Sequence, residues 1–235
     1  YIQIGEGRQV ADGDSGAAVF FGIRDGNGTF ATSAASANTG TGVLGAGSLV
    51  DPSAWIQDQY TVRFIDQSNF EVLDSGAAVV STGTFQPGDT IAFRGIEFRL
   101  DGQPQGGDEF LAAPSRSQDI FASLDQLASA VEIGVSDDVS RAELNNGINA
   151  GLLNVDQAIG NILDVRTQVG TRLAAIDGQV DTNGAFALNY QDTLASLEDL
   201  DYAEALSRLS MEVTTLEAAQ QSFVRTQSLS LFNYF

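Results

Sequence analysis

In the first half of the chain, apolar and polar side chains alternate one for one. Tyr60, Val62 and Phe64 alternate with Thr61 and Arg63, and Ile96, Phe98 and Leu100 alternate with Glu97 and Arg99. A period of two is that of a strand with one buried face. Turn-forming runs separate these stretches: Asp25-Gly26-Asn27-Gly28, Gln86-Pro87-Gly88-Asp89 and Asp101-Gly102. The pattern predicts a small antiparallel β domain over residues 1–114, with about seven to nine strands. Residues 36–56, rich in Gly, Ala, Asn and Ser, read as a long surface loop.

After Pro114 the period changes. Ser115 and Gln118 have capping-box spacing, and Ile120, Phe121, Leu124, Leu127 and Val131 form one apolar stripe that Gly134 is placed to end. A second helix opens at Ser136, with Asp137 and Asp138 in its first turn, where acids favour the helix dipole. Leu144, Ile148, Leu152, Val155, Ile159, Ile162, Val169, Leu173, Ile176 and Val180 continue it in near-heptad steps. Residues 138–180 would make a rod of about 65 Å at 1.5 Å per residue. The pattern weakens at Asp181-Thr182-Asn183-Gly184 and resumes at Phe186, Tyr190, Leu194 and Leu197. Further on, Leu206, Leu209, Val213, Leu216 and Phe223 follow the a/d spacing of a helix seam. The fold class is α+β and multidomain: a small antiparallel β domain (1–114), then long antiparallel, coiled-coil-like helices forming a rod (115–198), then an assembly helix with an apolar tail (199–235).

These helices pose a packing problem. The first can cover only the beginning of the second, so the seam from about Ile162 onward has no partner in this sequence. Gly147, Gly151, Gly160, Gly170 and Gly178 each cost about 1 kcal/mol against alanine in a helix, which suggests backbones in close approach. The missing partner would be a helix N-terminal to Tyr1 or a neighbouring subunit. Leu229, Leu231, Phe232, Tyr234 and Phe235 have no later element to bury them. With Leu206, Leu209, Val213, Leu216 and Phe223 they make the candidate assembly interface, since contiguous exposed apolar surface marks interaction sites.

Composition narrows the chemistry. The 11 basic residues are all arginine, and against 31 acids they leave a net charge of −20. Such a chain does not neutralise nucleic-acid phosphates and is repelled by anionic membranes. Without cysteine there are no disulfides or thiolates. No stretch reaches the ~18 apolar residues of a membrane span, and no cleaved signal peptide is visible. The sequence starts at Tyr1, so it reads as a piece of a longer polypeptide.

Short motifs carry little. Gly13-Asp14-Ser15-Gly16 matches the loop around a serine-protease nucleophile, but that chemistry needs a base, and histidine and lysine are both absent. No enzyme is expected. Gly40-Thr41-Gly42-Val43-Leu44-Gly45 fits G-x-G-x-x-G, with Asp66 about twenty residues on, yet the residues after it break the helix such a site requires. Asp12-Gly13-Asp14 and Asp25-Gly26-Asn27-Gly28 are incomplete calcium loops. No cofactor or metal is expected. Trp55 reads as a core or loop anchor before it reads as a sugar platform.

The segment from Ser196 resembles a known family. Glu198-Asp199-Leu200-Asp201-Tyr202-Ala203, Leu216-Glu217-Ala218-Ala219-Gln220-Gln221-Ser222-Phe223 and the closing Leu-Ser-Leu-Phe-Asn-Tyr-Phe are similar to the C-terminus of the FlgL-type hook–filament junction proteins, in the flagellin superfamily. Gly28-Thr29-Phe30-Ala31-Thr32, Asn38-Thr39-Gly40-Thr41-Gly42-Val43, Asp51-Pro52-Ser53-Ala54-Trp55 and Ala113 to Asp119 resemble that family's inserted β domain and its exit. The resemblance implies a structural part of the bacterial flagellum, extracellular and exported without a cleaved signal. It also implies a ring of copies, contacts with a FlgK-type junction protein and with flagellin, and a FlgN-type export chaperone. The alternative is a surface β module on a helical stalk that binds carbohydrate or a host ligand.

Overall fold

The computed structural model describes residues 1–199 and 201–228. Twelve strands and four helices occur among the described residues. The strands are β1 (Ile2–Gly5), β2 (Arg8–Val10), β3 (Ile23–Arg24), β4 (Phe30–Ala34), β5 (Val43–Leu49), β6 (Tyr60–Phe64), β7 (Asn69–Leu73), β8 (Val79–Thr84), β9 (Thr90–Phe93), β10 (Ile96–Asp101), β11 (Glu109–Pro114) and β12 (Ser117–Gln118). The helices are α1 (Gly16–Phe20), α2 (Ile120–Val131), α3 (Asp138–Glu198) and α4 (Tyr202–Ser228). The architecture is α+β, as the change of hydrophobic period predicts. The chain divides into two compact units, Tyr1–Ala174 and Ala175–Phe235.

In the first unit a five-stranded antiparallel sheet, β4-β11-β6-β7-β8, packs with a three-stranded one, β5-β10-β9. The alternating residues become its core. Tyr60, Val62, Phe64, Ile96, Phe98 and Leu100 are all buried, because successive strand side chains point to opposite faces. Phe64 is the centre of a ring cluster: Phe85 and Phe110 meet it edge-on at 5.3 and 5.9 Å, and Phe70 is tilted at 5.8 Å.

The structure departs from the expectations at five places. The supposed loop at 36–56 contains strand β5, paired with β10 and bulged opposite Phe98–Leu100. Its Gly and Ala content hides it, and the glycines have a use: a Cβ on Gly47 would sit 2.5 Å from the Phe30 ring. The strand number exceeds nine because β1, β2, β3 and β12 are short pairings of two to four residues. Helix α2 starts at Ile120, not at Ser115. Ser115 is held in the sheet region, where its N–H donates to Thr29 O at 2.9 Å and its hydroxyl to Asp25 O at 2.8 Å. Asp119 is the cap instead, accepting the Ala122 N–H at 2.7 Å. Gly134 lies beyond α2, which ends at Val131 with Glu132 as its cap. Finally, α3 runs unbroken through Asp181–Gly184. An isolated Asn and Gly lower helix propensity by about 1 kcal/mol or less each, and local bonds support the turn: Thr182 Oγ1 donates to Gly178 O at 2.8 Å and Gln179 Nε2 to Asn183 Oδ1 at 3.0 Å.

The first stretch of α3 is tied by side-chain amides to the backbone of β5, of the turn after β3 and of α1. Asn146 bridges one edge of β5, accepting the Leu44 N–H at 2.7 Å and donating to Gly42 O at 2.9 Å. Asn149 donates to Leu44 O, Asn154 accepts the Gly26 N–H, and Asn161 donates to Val19 O. Arg172 pairs with Asp14. Helix α2 closes on α3 at Gly147 and Gly151, where a Cβ would come within 2.6 Å of Ala130 and Leu127. These two glycines fit the expectation of close approach. Gly160, Gly170 and Gly178 have open space around them among the described residues.

Candidate functional site

Helix α4 carries the predicted seam. Leu206, Leu209, Val213, Leu216 and Phe223 fall within an arc of about 100° when each residue turns the helix by about 100°. All five are exposed, from 47% for Val213 to 70% for Leu206, and no residue of α4 is buried. Val224 lies on the same arc and is equally open at 63%. Its place beside Phe223 hides it from a strict heptad count. Leu229, Leu231, Phe232, Tyr234 and Phe235 lie outside the described residues.

Several polar side chains of α4 bond within the helix. Thr214, Thr215 and Thr226 donate their hydroxyls to carbonyls four residues back, at 2.8 to 2.9 Å. Arg208 pairs with Glu204 at 2.9 Å, and Asp201 receives the Ala203 and Glu204 N–H groups at the helix start. Beside them the apolar side chains of the seam lie open. The second unit's part of α3 repeats this, with Val180, Phe186, Leu188, Tyr190, Leu194 and Leu197 all exposed. Burying one such side chain is worth about 1.5–3 kcal/mol, and contiguous exposed apolar area is the physical character of an interaction surface.

The other candidate sites are structural. Trp55 packs against the β core, its ring tilted 5.8 Å from Phe30 and 5.9 Å from Tyr60. Gly40–Gly45 enters strand β5 and starts no helix. Asp14 of the Gly13–Gly16 turn is engaged by Arg172. The Asp25–Gly28 segment is a turn between β3 and β4, which pair with other strands, and in it Asn27 Oδ1 accepts the Thr29 and Phe30 N–H groups, both at 2.9 Å. Asp51, Asp58, Asp66 and Asp137 have carboxyls held below the ordinary range, in the first three by a side-chain hydrogen bond foremost and in Asp137 by the Ser140 N–H. Asp51, Asp66 and Asp137 each cap a local turn, whereas Asp58 reaches Ser75, seventeen residues on. No helix of the described residues is long and apolar enough to cross a membrane.

Sequence reasoning missed the amides Asn146, Asn149, Asn154 and Asn161. The signal was present: asparagine is a poor helix former whose side chain competes for backbone groups, and its recurrence in α3 marks a face turned to backbone.

Comparison with known proteins bears on the same surface. The family described as bacterial flagellin C-terminal helical region matches residues 152–235, a span that includes α4. Flagellar hook-associated protein 3 of Escherichia coli (strain K12) is 30% identical over 118 residues, covering 48% of this chain and 36% of the relative. The crystal structure of Xanthomonas campestris FlgL aligns with a TM-score of 0.73 at 31% identity, covering 80% of this chain and 61% of that one. The flagellar junction protein FlgL from Legionella pneumophila aligns with a TM-score of 0.71 at 28% identity, covering 78% and 59%. The chain therefore spans about a third of the curated relative's length and about three-fifths of the solved proteins'.

Proposed function

We propose, for a chain that belongs to the FlgL family of flagellar hook-associated proteins, a structural role at the hook–filament junction of the bacterial flagellum. The observation that carries this reading is the uncovered apolar stripe of α4, lying within the stretch that matches the flagellin C-terminal helical region. A helix without buried residues gains its stability from packing against others.

In this reading the work is mechanical. Leu206, Leu209, Val213, Leu216 and Phe223 form the inner seam, Val224 widens it, and Leu229, Leu231, Phe232, Tyr234 and Phe235 dock last. Copies of the chain close into a ring, with a FlgK-type junction protein on one side and flagellin on the other. The protein works outside the cell, is exported without a cleaved signal peptide, and is held before export by a FlgN-type chaperone. The packed β core supports the assembly and performs no chemistry.

The test uses the full-length parent in cells lacking their own copy. Leu209→Asp with Leu216→Asp puts two charges into the seam, and each unpaired buried charge costs several kcal/mol. The variant should be secreted, retain its β fold, and leave cells without attached filaments. Deleting Leu229–Phe235 should do the same. Normal filaments from secreted variants would overturn the assignment of the seam.

A further inference from the structure

Strand β4 is the end strand of its sheet and pairs only with β11. The phase of that pairing decides which peptide groups are spent. Ala35 N–H donates to Glu109 O at 3.0 Å and Ser115 N–H to Thr29 O at 2.9 Å, so the odd-numbered residues of β4 exchange bonds with β11. Thr32 and Ala34 therefore turn their N–H and C=O groups to the other side. Among the described residues no side chain meets them there.

The neighbouring backbone is treated differently. Asn38 caps the Glu109 peptide in both directions, donating to its carbonyl at 2.9 Å and accepting its N–H at 2.8 Å. Asn146 and Asn149 cap the outer edge of β5 at Gly42 and Leu44. Side-chain amides thus plug the strand backbone on either side and leave Thr32–Ala34 open. Natural sheets normally blunt such an edge.

The open edge lines a groove of about 430 Å³, within the roughly 300–1,000 Å³ of ligand sites. Its far wall is mostly helical, with Ala130, Ala142 and Leu153 beside Asn146 and Asn149, and Ile133 just beyond the end of α2. Glu143 is the one titratable side chain that lines it. A strand edge facing a helix across a groove is the geometry of β-strand addition, in which main-chain bonds give affinity and alternate side chains fill the wall. Glu143, on a chain of net charge −20, disfavours an acidic segment and a second copy of this chain.

We propose that this groove receives an extended segment of another protein, with neutral or basic side chains, which adds to β4 as a sixth strand. This goes beyond the junction role and does not depend on it.

The test is amide hydrogen exchange on the intact chain, using a capped heptapeptide of alternating valine and threonine with one central arginine. A second peptide has the same side chains but is N-methylated at alternate amides. At saturation the first peptide should slow exchange at Thr32 and Ala34 at least about tenfold, leaving Ser33, already paired with β11, unchanged. The methylated peptide should not slow it. Ala34→Pro, which removes an outward N–H at an edge position that tolerates proline, should abolish the effect. Glu143→Lys, an exposed change with little risk to folding, should weaken binding about two- to fivefold. Absence of protection at Thr32 and Ala34, or equal protection by the methylated peptide, would overturn the proposal. So would protection that rises with protein concentration alone, which would make a second copy the occupant.

Discussion

The rings of Phe64 and Phe223 follow opposite rules. Phe64 is 1% exposed and meets three other phenylalanines. Phe223, in a helix equally apolar on one face, is 67% exposed. The first belongs to a region whose apolar pattern is closed by its own chain. The second belongs to a region whose pattern is just as regular and is not closed. Periodicity therefore specifies an element and its apolar face, while the presence of a partner decides whether that face is buried. In the first unit β sheets supply the partner, and the first turns of α3 add a hydrogen-bonded seam. From Val180 to Asp199 every side chain is exposed.

The largest expected difference is in local stability. Amides of β6, β7, β10 and β11 should exchange at the rate of global unfolding, and those of α4 at the rate of helix fraying. The ratio should be on the order of a thousandfold or more, given domain stabilities of about 5–15 kcal/mol. Hydrogen exchange of the isolated chain measures it. Uniform protection across both regions would mean that α4 is not short of a partner, and the comparison would fail.

Next in size is the core itself. Phe64→Ala removes the ring that touches Phe70, Phe85 and Phe110, and should cost about 3–5 kcal/mol. Denaturation followed by near-ultraviolet signals should show the loss. Leu209→Ala on α4 should change the stability of the isolated chain by no more than about 0.5 kcal/mol, the range for exposed positions. A similar cost at both sites would show that α4 is packed in solution.

Much of this was legible in the sequence. The alternation at Tyr60–Phe64 and Ile96–Leu100 marked core strands, and the steps from Leu206 to Phe223 marked one apolar face of a helix. Strand β5 was not legible, because Gly42 just before it and Gly47 within it clear the rings of Phe110 and Phe30, and that requirement comes from residues far away in sequence. Ser115 failed as a cap for the same reason: its partners, Thr29 and Asp25, lie some ninety residues earlier. The junction between α3 and the strands was hidden by its chemistry. Apolar periodicity detects faces that bury hydrocarbon, whereas Asn146, Asn149, Asn154 and Asn161 bind backbone. That junction can be tested at Asn154, which is 8% exposed and accepts the Gly26 N–H at 2.9 Å. Asn154→Ala leaves this donor unsatisfied and should cost about 1–3 kcal/mol. A shift of the denaturation midpoint at constant m-value would register it. An unchanged midpoint would mean that the Asn154 bond adds nothing to the hold that Asn146, Asn149 and Asn161 keep on the backbone.

The smallest effect concerns where α3 begins. Asp137 precedes the helix and accepts the Ser140 N–H at 2.8 Å and the Ser140 hydroxyl at 2.7 Å, while Ser140 Oγ accepts the N–H groups of Ser136 and Asp137, both at 3.0 Å. These bonds, the Ser140 N–H first, favour the carboxylate and hold the Asp137 pKa below its ordinary 3.8. The sign follows from linkage. A carboxyl whose pKa is depressed in the folded state adds stability that is fully present above the unfolded-state value. That stability is lost as pH falls through the folded value. The loss therefore lies below about pH 3.8 and leaves the helix start intact at neutral pH. The side chain is fully exposed, so solvent keeps the contribution small. The Ser140 amide chemical shift should titrate with a midpoint under 3.8. Asp137→Asn can still accept the Ser140 N–H, and should remove the titration while keeping the cap. A midpoint at or above 3.8 would show that the reciprocal bonds with Ser140 do not hold the start of α3 in solution.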